Sequence, residues 1–252
     1  MYKFTKKYLS WGKLRINGKN NQNKLVCYHR GGGHKKLYRF IDFFHYIWNI
    51  YGIVYSNIYN YNYLLHFIIF LNGLFTYKLS IQKLKIGDYI FSSTFSFFLN
   101  SNGFIFFIKN IPTGLFISNL EILPFKKSQY VRSQGNYARV IALNNLYCLV
   151  RLKSYYIIQI LVNCICILGK ISIKNQTIKW KKASYYIHKG WRPIVRGVAM
   201  NPIDHPHGGG QGKTSGGRPS CSPWAWYTKG SKTRQINKRR NYVYTKILKK
   251  YG

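Results

Sequence analysis

The chain has 252 residues, of which 46% are apolar and 18% aromatic, and a composition this hydrophobic excludes a wholly disordered protein. Forty Lys and Arg residues stand against four acidic residues, which gives a formal net charge of +36. A free globular protein with this charge would repel itself strongly, so we expect a polyanionic partner, either nucleic acid or an anionic membrane surface.

Residues 1–39 predict an extended basic RNA-binding arm, because neither a helical nor a strand period holds there and 11 Lys and Arg residues occur without an acidic one. Three consecutive glycines let its backbone approach another surface closely. The side chains around them suit phosphate contacts and base stacking, although a flexible solvated loop is the alternative. The residues predicted to bind RNA in this arm are Arg30, Gly31, Gly32, Gly33, His34, Lys35, Lys36 and Arg39.

Residues 40–114 predict a first small barrel or sandwich. Short apolar runs at 53–55, 63–71, 74–79, 88–91 and 104–108 are rich in Ile, Phe, Tyr and Val, which favour strands. Asn72-Gly73 separates two of these runs and is typical of a two-residue hairpin turn.

Residues 115–180 predict a second small β-barrel in the same style, with runs at 115–117, 137–143, 147–152, 156–162 and 171–173. Asn144-Asn145 fits a tight turn between two of them. Lys126, Lys127 and Arg132 lie on or near the first loops of this barrel and are predicted to contact RNA.

The five cysteines predict reduced, mostly buried thiols. Their number is odd, and one residue between Cys164 and Cys166 is too short a spacing for the usual zinc pair. At this spacing both side chains would share one face of a strand.

Residues 181–252 predict an extended, glycine-rich and basic RNA-binding tail, since Gly and Pro are frequent and regular periodicity disappears. Pro206 fixes the backbone between two histidines, and the glycines after it suit a narrow peptide inserted between RNA helices. A basic run at 228–240 is either a solvated tail or, as we favour, a phosphate-neutralising one. The residues predicted to bind RNA in the tail are Arg192, Arg196, Asn201, His205, His207, Gly208, Gly209, Gly210, Lys213, Lys232 and Arg234.

Two other functional classes compete with RNA binding. Asp204, His205 and His207 could form a metal site or an acid–base pair of an RNA-processing enzyme, but no further ligand has suitable spacing and Asp204 is the only acidic residue after Glu121. The longest apolar run, at 63–75, is shorter than the about 20 residues of a membrane span, and no amphipathic helix with a wide apolar stripe is found. We therefore expect no catalytic residue, metal, cofactor, small-molecule substrate or membrane partner.

The glycine motifs at 28–42 and 192–210 resemble those of the universal second protein of the large ribosomal subunit. The segments at 84–88, 110–114, 119–121 and 232–234 occur in the order of that family, so the resemblance covers nearly the whole chain. It implies an OB-fold barrel followed by an SH3-like barrel, and partners among large-subunit ribosomal RNA and other ribosomal proteins. It also implies support of subunit association and a C-terminal segment near the peptidyl transferase centre. Because that centre is RNA, we interpret His205 as contacting RNA and the chain as no enzyme.

Several features depart from the family pattern. The N-terminal arm is shorter, and Phe125-Lys-Lys-Ser-Gln-Tyr130 stands in place of a glycine-rich basic segment. The barrel faces are unusually aromatic, and Gln211 stands where an acidic residue is expected. Asn, Ile, Lys, Tyr and Phe are abundant throughout, which indicates an AT-rich genome. With no transit sequence visible, this composition predicts an organelle-encoded protein of a plastid (apicoplast-like) ribosome, with a mitochondrial ribosome as the alternative.

Overall fold

The computed structural model of the chain describes residues 8–15, 17–60, 63–94, 101–173 and 182–232, together with the backbone of 245–246. The chain divides into two compact units. The first, here called the barrel unit, comprises residues 1–11, 37–178 and 241–252. The second, here called the basic unit, comprises residues 12–36 and 179–240.

Strands dominate the described residues, as predicted for an all-β chain. They are β1 (Ser10–Lys13), β2 (Lys36–Arg39), β3 (Tyr51–Tyr59), β4 (Leu64–Phe70), β5 (Phe75–Leu79), β6 (Tyr89–Phe91), β7 (Ile105–Phe107), β8 (Phe116–Ser118), β9 (Ala138–Leu143), β10 (Tyr147–Leu152), β11 (Tyr156–Leu161), β12 (Ile165–Leu168) and β13 (Thr245–Lys246). One α-helix, α1 (Ala183–Lys189), and two short 3-10 helices, Ile108–Asn110 and Gly197–Ala199, complete the described elements.

The first sheet of the barrel unit is antiparallel, with the strand order β5-β4-β3-β6. β4 is central and is buried along most of its length, in keeping with its nearly continuous apolar sequence. The predicted Asn72-Gly73 turn joins β4 to β5. Gly73 has a φ of 81°, and the N–H of Phe70 donates to the Leu74 carbonyl at 2.8 Å, so the hairpin prediction is confirmed.

The second sheet has the order β13-β11-β10-β9-β8-β12-β7. The predicted Asn144-Asn145 turn is confirmed, because the Asn144 N–H donates to the Tyr147 carbonyl at 2.8 Å and closes β9 onto β10. The run at 171–173 forms no strand: Ile171 makes a single bridge to Ile81, and the Ile173 side chain is 61% exposed.

β7 lies before the predicted domain boundary at residue 114, yet it pairs with β12 of the second sheet. β12 is buried on both faces, and its side chains alternate between two hydrophobic clusters. Cys166 packs in the cluster of the second sheet, which also contains Cys164, whereas Ile165 and Ile167 pack with the side chains of β4. The two strand layers of the barrel unit are therefore joined through β12. The domain limits at 39, 114 and 180 stay predictions.

All five cysteines are free thiols. Cys148, Cys164 and Cys166 are fully buried, and burial raises the pKa of both Cys148 and Cys164 to about 12. Cys27 is exposed, whereas Cys221 is buried within the basic unit. The prediction of mostly buried thiols is thus confirmed.

Glu121 and Lys78 are among the ionisable side chains that are buried in the barrel unit. Glu121 is fully buried, its Oε2 accepts the Ile165 N–H at 3.1 Å, and burial raises the pKa of Glu121 to about 7. The Nζ of Lys78 lies 3.9 Å from the Asp42 Oδ2, and burial lowers the pKa of Lys78 to about 8 although Asp42 opposes the change. Both groups therefore weaken the fold in one of their charge states.

Residues 182–232 are mostly irregular, as predicted for the tail. Helix α1 was not predicted, because none of its residues is buried and it has no apolar face that a periodic pattern could show. It ends at Gly190, which has a φ of 93°. The two-stranded sheet of β1 and β2 was likewise not predicted in the arm. No helix in the described ranges is long and apolar enough to cross a bilayer.

Candidate nucleic-acid interface

The basic unit concentrates the positive charge of the chain. Its two sequence segments, 12–36 and 179–240, hold seven and fourteen Lys and Arg residues, so 21 of the 40 cations share this unit with a single acidic residue, Asp204. Few of its described side chains are buried, among them His205 and Cys221. Such a segment lacks both a conventional core and charge compensation of its own, which is typical of a surface that lies on phosphates.

The first glycine motif pairs with the end of α1 and the residues after it. The Gly31 N–H donates to the Gly190 carbonyl at 3.1 Å, and the His34 N–H donates to the His188 carbonyl at 2.9 Å. In return, the N–H of residue 192 donates to the carbonyl of residue 29 at 3.0 Å. Segments about 160 residues apart in sequence thus form one layer.

Gly33 stands at the closest approach of these segments. A Cβ atom at this position would lie 2.8 Å from the Gly190 nitrogen and 2.9 Å from the His188 carbonyl oxygen, and the φ of Gly33 is 84°. Only glycine fits both the space and the backbone angle without strain. The sequence predicted that these glycines serve a close approach, and the structure shows that the chain's own helix end is one such surface.

Flat side chains stack in pairs along this layer. The Arg30 guanidinium lies 3.5 Å from the centre of the Trp191 ring, and the His34 ring lies 4.6 Å from that of His188 at an interplanar angle of 16°. Arg30 and His34 are both exposed to solvent. They therefore present planar outer surfaces of the kind on which nucleobases stack.

A basic cleft, about 160 Å³ in volume, opens beside the motif. The Nζ of Lys36 donates to the Lys189 carbonyl at 3.2 Å across it. Burial and the charges of Lys13 and Lys189 lower the pKa of Lys36. The charged and imidazole side chains that line the cleft are Lys13, Arg15, Arg30, His34, Lys36 and Lys189.

The second glycine motif folds into a closed loop. The Gly209 N–H donates to the Met200 carbonyl at 3.0 Å, and the Asp204 N–H donates to the Asn201 carbonyl at 3.0 Å. A Cβ atom at Gly208 would collide with the Asn201 carbonyl, which explains why a glycine is needed there. The segment is therefore compact and is shaped by its own backbone hydrogen bonds.

The two histidines of this loop are fixed by the hydrogen bonds of their rings. The His205 Nδ1 accepts the N–H of His207 at 3.0 Å, so a neutral His205 ring carries its proton on Nε2. The His207 Nε2 accepts the Cys221 N–H at 3.1 Å, and its Nδ1 lies 2.9 Å from the Gly216 carbonyl, to which it donates. The rings stack 5.2 Å apart. His207 thus ties the glycine loop to residues 216–221.

This arrangement does not resemble an acid–base or metal site. Both nitrogens of His207 and one nitrogen of His205 already have partners within the basic unit, and the side chain of Asp204 is exposed. Among the described residues, no group of three or more His, Cys, Asp or Glu side chains is placed to hold a metal ion.

The candidate residues of the barrel unit lie on its surface or at its edge. Arg39 donates to the Asn60 Oδ1 at 3.2 Å, and the guanidinium of Arg132 lies 4.9 Å from the Phe43 ring centre. Lys126 and Lys127 are exposed in the loop after β8. Arg39 and Arg132 are therefore partly engaged within the protein, whereas the two lysines are accessible.

The structure sorts the predicted RNA-binding residues of the basic unit into two clusters and an exposed remainder. Arg30, Gly32, His34 and Lys36 line the cleft, and Gly31 and Gly33 lie beside it against the end of α1. His205, His207 and the second glycine triplet belong to the closed loop. Arg234 lies outside the described residues. RNA contact stays a prediction for every one of them. The exposed remainder comprises Lys35, Arg192, Arg196, Lys213 and Lys232. Asn201 is also exposed, but its carbonyl belongs to the closed loop.

Sequence reasoning missed five residues of the cleft and its stacked pairs. Lys13 and Arg15 precede the glycine motif, and His188, Lys189 and Trp191 lie in or just after α1. Charge and aromatic character were visible in the sequence, but their proximity depends on a pairing between distant segments. No periodic pattern marks such a pairing.

Comparison with known proteins places the chain among ribosomal proteins. Residues 6–92 match the family described as Ribosomal Proteins L2, RNA binding N-terminal domain, and residues 101–225 match Ribosomal Proteins L2, C-terminal domain. The chain is 41% identical to large ribosomal subunit protein uL2m of Reclinomonas americana over 248 aligned residues. The alignment covers 97% of this chain and 89% of that protein.

Bacterial relatives are similar to nearly the same extent. Large ribosomal subunit protein uL2 of Rickettsia typhi is 39% identical over 243 residues, covering 95% of this chain and 88% of that protein. The protein of the same name from Ehrlichia canis is 40% identical over 242 residues, covering 94% and 87%. The two matched domains also fit the predicted order of an OB-fold barrel followed by an SH3-like barrel.

Proposed function

The chain belongs to the ribosomal protein L2 family, and we propose that it binds large-subunit ribosomal RNA chiefly through its basic unit. It is a structural constituent of the large ribosomal subunit rather than an enzyme, with ribosomal RNA and other ribosomal proteins as partners. The observation that carries this function is identity of about 40% to large-subunit proteins over more than nine-tenths of the chain.

The distribution of charge supports the basic unit as the main RNA contact. Its 21 cations face one acidic residue, whereas the remaining 19 cations of the chain share the barrel unit with three acids. Each lysine or arginine that neutralises a phosphate releases a counterion from the RNA, so a dense array binds strongly at low salt. In this proposal Lys126, Lys127 and Arg132 add contacts from the barrel unit.

The closed loop with His205 and His207 is the segment that, in this proposal, lies near the peptidyl transferase centre. Its rigid hydrogen-bonded core supports this role, because a preformed loop loses less conformational entropy when it docks into RNA. Support of subunit association is part of the same proposal. It rests on the family resemblance of the motif at 192–210.

An organellar ribosome is the proposed location. The composition supports an organelle genome, and the similarity to uL2m of Reclinomonas americana favours the mitochondrial alternative over the plastid. Plastid origin remains the competing assignment. Separate purification of the two organelles from the source cells, followed by detection of the chain, distinguishes them.

Sedimentation tests the function directly. An organelle lysate is centrifuged through gradients at low and at high salt, and fractions are probed for this chain and for large-subunit ribosomal RNA. We expect the chain to sediment with large subunits at low salt and to leave them only at high salt, because its contacts are electrostatic. Recovery of the chain in RNA-free fractions at low salt would overturn the proposal.

A further inference from the structure

The basic cleft is a place where positive charges are held together against their mutual repulsion. Lys13, Arg15 and Lys189 reach it from both segments of the basic unit, together with Arg30 and Lys36, and none of the described residues that line it is acidic. Like charges in one cleft repel each other unless an anion enters. The cleft therefore has the electrostatic character of an anion site.

Backbone pairing holds the walls of the cleft in place before any partner binds. Gly31 and His34 donate to the carbonyls of Gly190 and His188, and Lys36 donates to the carbonyl of Lys189. Gly33 packs so closely against Gly190 and His188 that a Cβ atom would not fit between them. A site built in this way meets its ligand with little reorganisation.

The stacked side-chain pairs beside the cleft could bind a nucleobase next to the phosphate site. Trp191 lies 3.5 Å from the Arg30 guanidinium, and the Arg30 side chain is exposed to solvent. A second planar group that stacks on the same guanidinium would complete a sandwich with Trp191. A base within a helix is already stacked on its neighbours, whereas an unpaired base is free to stack on a protein side chain. The volume of about 160 Å³ fits a phosphate group far better than a base pair.

We propose that this cleft binds the phosphate group of an unpaired RNA nucleotide whose base stacks on the Arg30–Trp191 pair. The inference rests on the proposed function and adds Lys13, Arg15, Lys189 and Trp191 to its contacts. The cations neutralise the phosphate, and the stacked pair discriminates an unpaired nucleotide from a helix.

Binding of RNA by the full chain tests the cleft. The probes are a 12-nucleotide single-stranded RNA of mixed sequence, the duplex of the same sequence, and adenosine monophosphate as competitor. The cleft variant carries Lys13→Gln, Arg15→Gln and Lys189→Gln. The control variant carries Lys19→Gln, Lys24→Gln and Lys229→Gln, which remove the same charge from exposed positions of the same unit.

We expect the cleft variant to lose about tenfold or more in affinity for the single strand, with a salt slope smaller by about 2, and the control variant to lose less than about threefold. Equal losses in the two variants would sink the proposal. Displacement of the strand by adenosine monophosphate at a comparable concentration would show a mononucleotide site instead. If the unmodified chain bound neither RNA, the proposed function itself would fail.

Arg30→Lys separates the effect of stacking from that of charge, since lysine keeps the positive charge but lacks the planar guanidinium group. We expect its preference for single strand over duplex to fall several-fold while the salt slope stays unchanged. An unaltered preference would contradict the stacking.

Ultraviolet crosslinking in isolated large subunits provides a second measurement that does not depend on the free chain. Peptides containing residues 13–15, 30–36 or 188–191 should crosslink to an unpaired nucleotide, and crosslinks from other peptides of the chain serve as the control. Crosslinks of these peptides only to paired RNA, or crosslinks of other peptides alone, would contradict the site.

Discussion

The carboxyl group of Glu121 makes the stability of the barrel unit depend on pH. Burial raises its pKa from an ordinary 4.5 to about 7. Between these values the folded state keeps a proton that the unfolded state has already released, so the free energy of unfolding falls as pH rises. Above pH 7 Glu121 is ionised in both states, and the free energy of unfolding has lost the whole contribution of the buried proton.

Glu121→Gln should remove this dependence. Relative to the unmodified chain, we expect the variant to gain about 3 kcal/mol in free energy of unfolding between pH 4.5 and pH 8. Urea unfolding of the full chain at several pH values, followed by Trp fluorescence, measures the difference. A difference that is the same at both pH values would show that Glu121 ionises as it does in water.

His207 has a structural role in the closed loop, so we expect its replacement to weaken the docking of this loop in the large subunit. His207→Ala leaves the Cys221 N–H and the Gly216 carbonyl without their ring partner, at a cost of about 1–3 kcal/mol. We expect reduced incorporation of the variant into large subunits, measured by quantitative mass spectrometry of gradient fractions, with an unchanged strand signal in circular dichroism.

Cys221→Ser is the matched control for His207→Ala, because it keeps the backbone N–H that the His207 ring accepts and a hydroxyl in place of the thiol. It should be incorporated almost normally. Loss of the strand signal in His207→Ala would mean that the basic unit and the barrel unit do not fold independently.

At the scale of elements, the first glycine motif crosses the end of α1, and this crossing gives Gly32 and Gly33 different amounts of space for a side chain. A Cβ atom at Gly33 meets Gly190 and His188 within 3 Å, whereas one at Gly32 meets nothing within 4 Å. Both glycines have positive φ, 84° and 65°, so the backbone strain of an alanine is common to both positions.

Gly33→Ala should therefore disrupt the layer much more than Gly32→Ala. Relative to Gly32→Ala, we expect Gly33→Ala to speed the hydrogen exchange of the amides at 31 and 34 by about tenfold or more, because the collision with Gly190 and His188 adds to a backbone strain of about 1–3 kcal/mol that both variants share. Exchange mass spectrometry of the full chain measures this. Equal exchange in the two variants would contradict a tight crossing.

The elements that the sequence predicted are those whose signal is local. The hairpin at Asn72-Gly73 and the turn at Asn144-Asn145 each need only a turn residue pair between apolar runs. Helix α1 has no buried face, and β1 pairs with β2 through backbone groups that any sequence supplies. Exposed elements of this kind leave no periodic pattern, so their absence from the prediction has a physical cause.

For the molecule as a whole, the two units should respond differently to protease. The barrel unit has two buried clusters and extended sheets, whereas most described side chains of the basic unit are exposed. In the free chain, trypsin should cut first within 12–36 and 182–232, and these cuts should be suppressed in intact large subunits.

Mass spectrometry of the fragments, with and without prior digestion of the RNA, measures this protection. Protection that survives removal of the RNA would show that the basic unit is ordered without a polyanion. Cleavage of the strands at the same rate as the basic segments would argue against a stable barrel unit.

At this scale the candidate site was predictable in kind but not in arrangement. A charge of +36 and two glycine motifs indicated RNA, and most cations of the cleft lie in or beside those motifs. The cleft itself depends on residues 13–36 meeting residues 188–191. One sequence contains no signal for contact across so long a separation.

The placement of the five thiols gives the protein its own chemical reporters. A thiolate is the reactive form of cysteine, so Cys148 and Cys164, with pKa values of about 12, should resist alkylation until the strands around them separate. Cys27 alone is exposed, and it belongs to the same unit as the cleft. A single fluorophore attached there would follow the arrival of the chain on nascent ribosomal RNA in real time, while slow labelling of Cys148, Cys164 and Cys166 would time the opening of the barrel unit in the same sample.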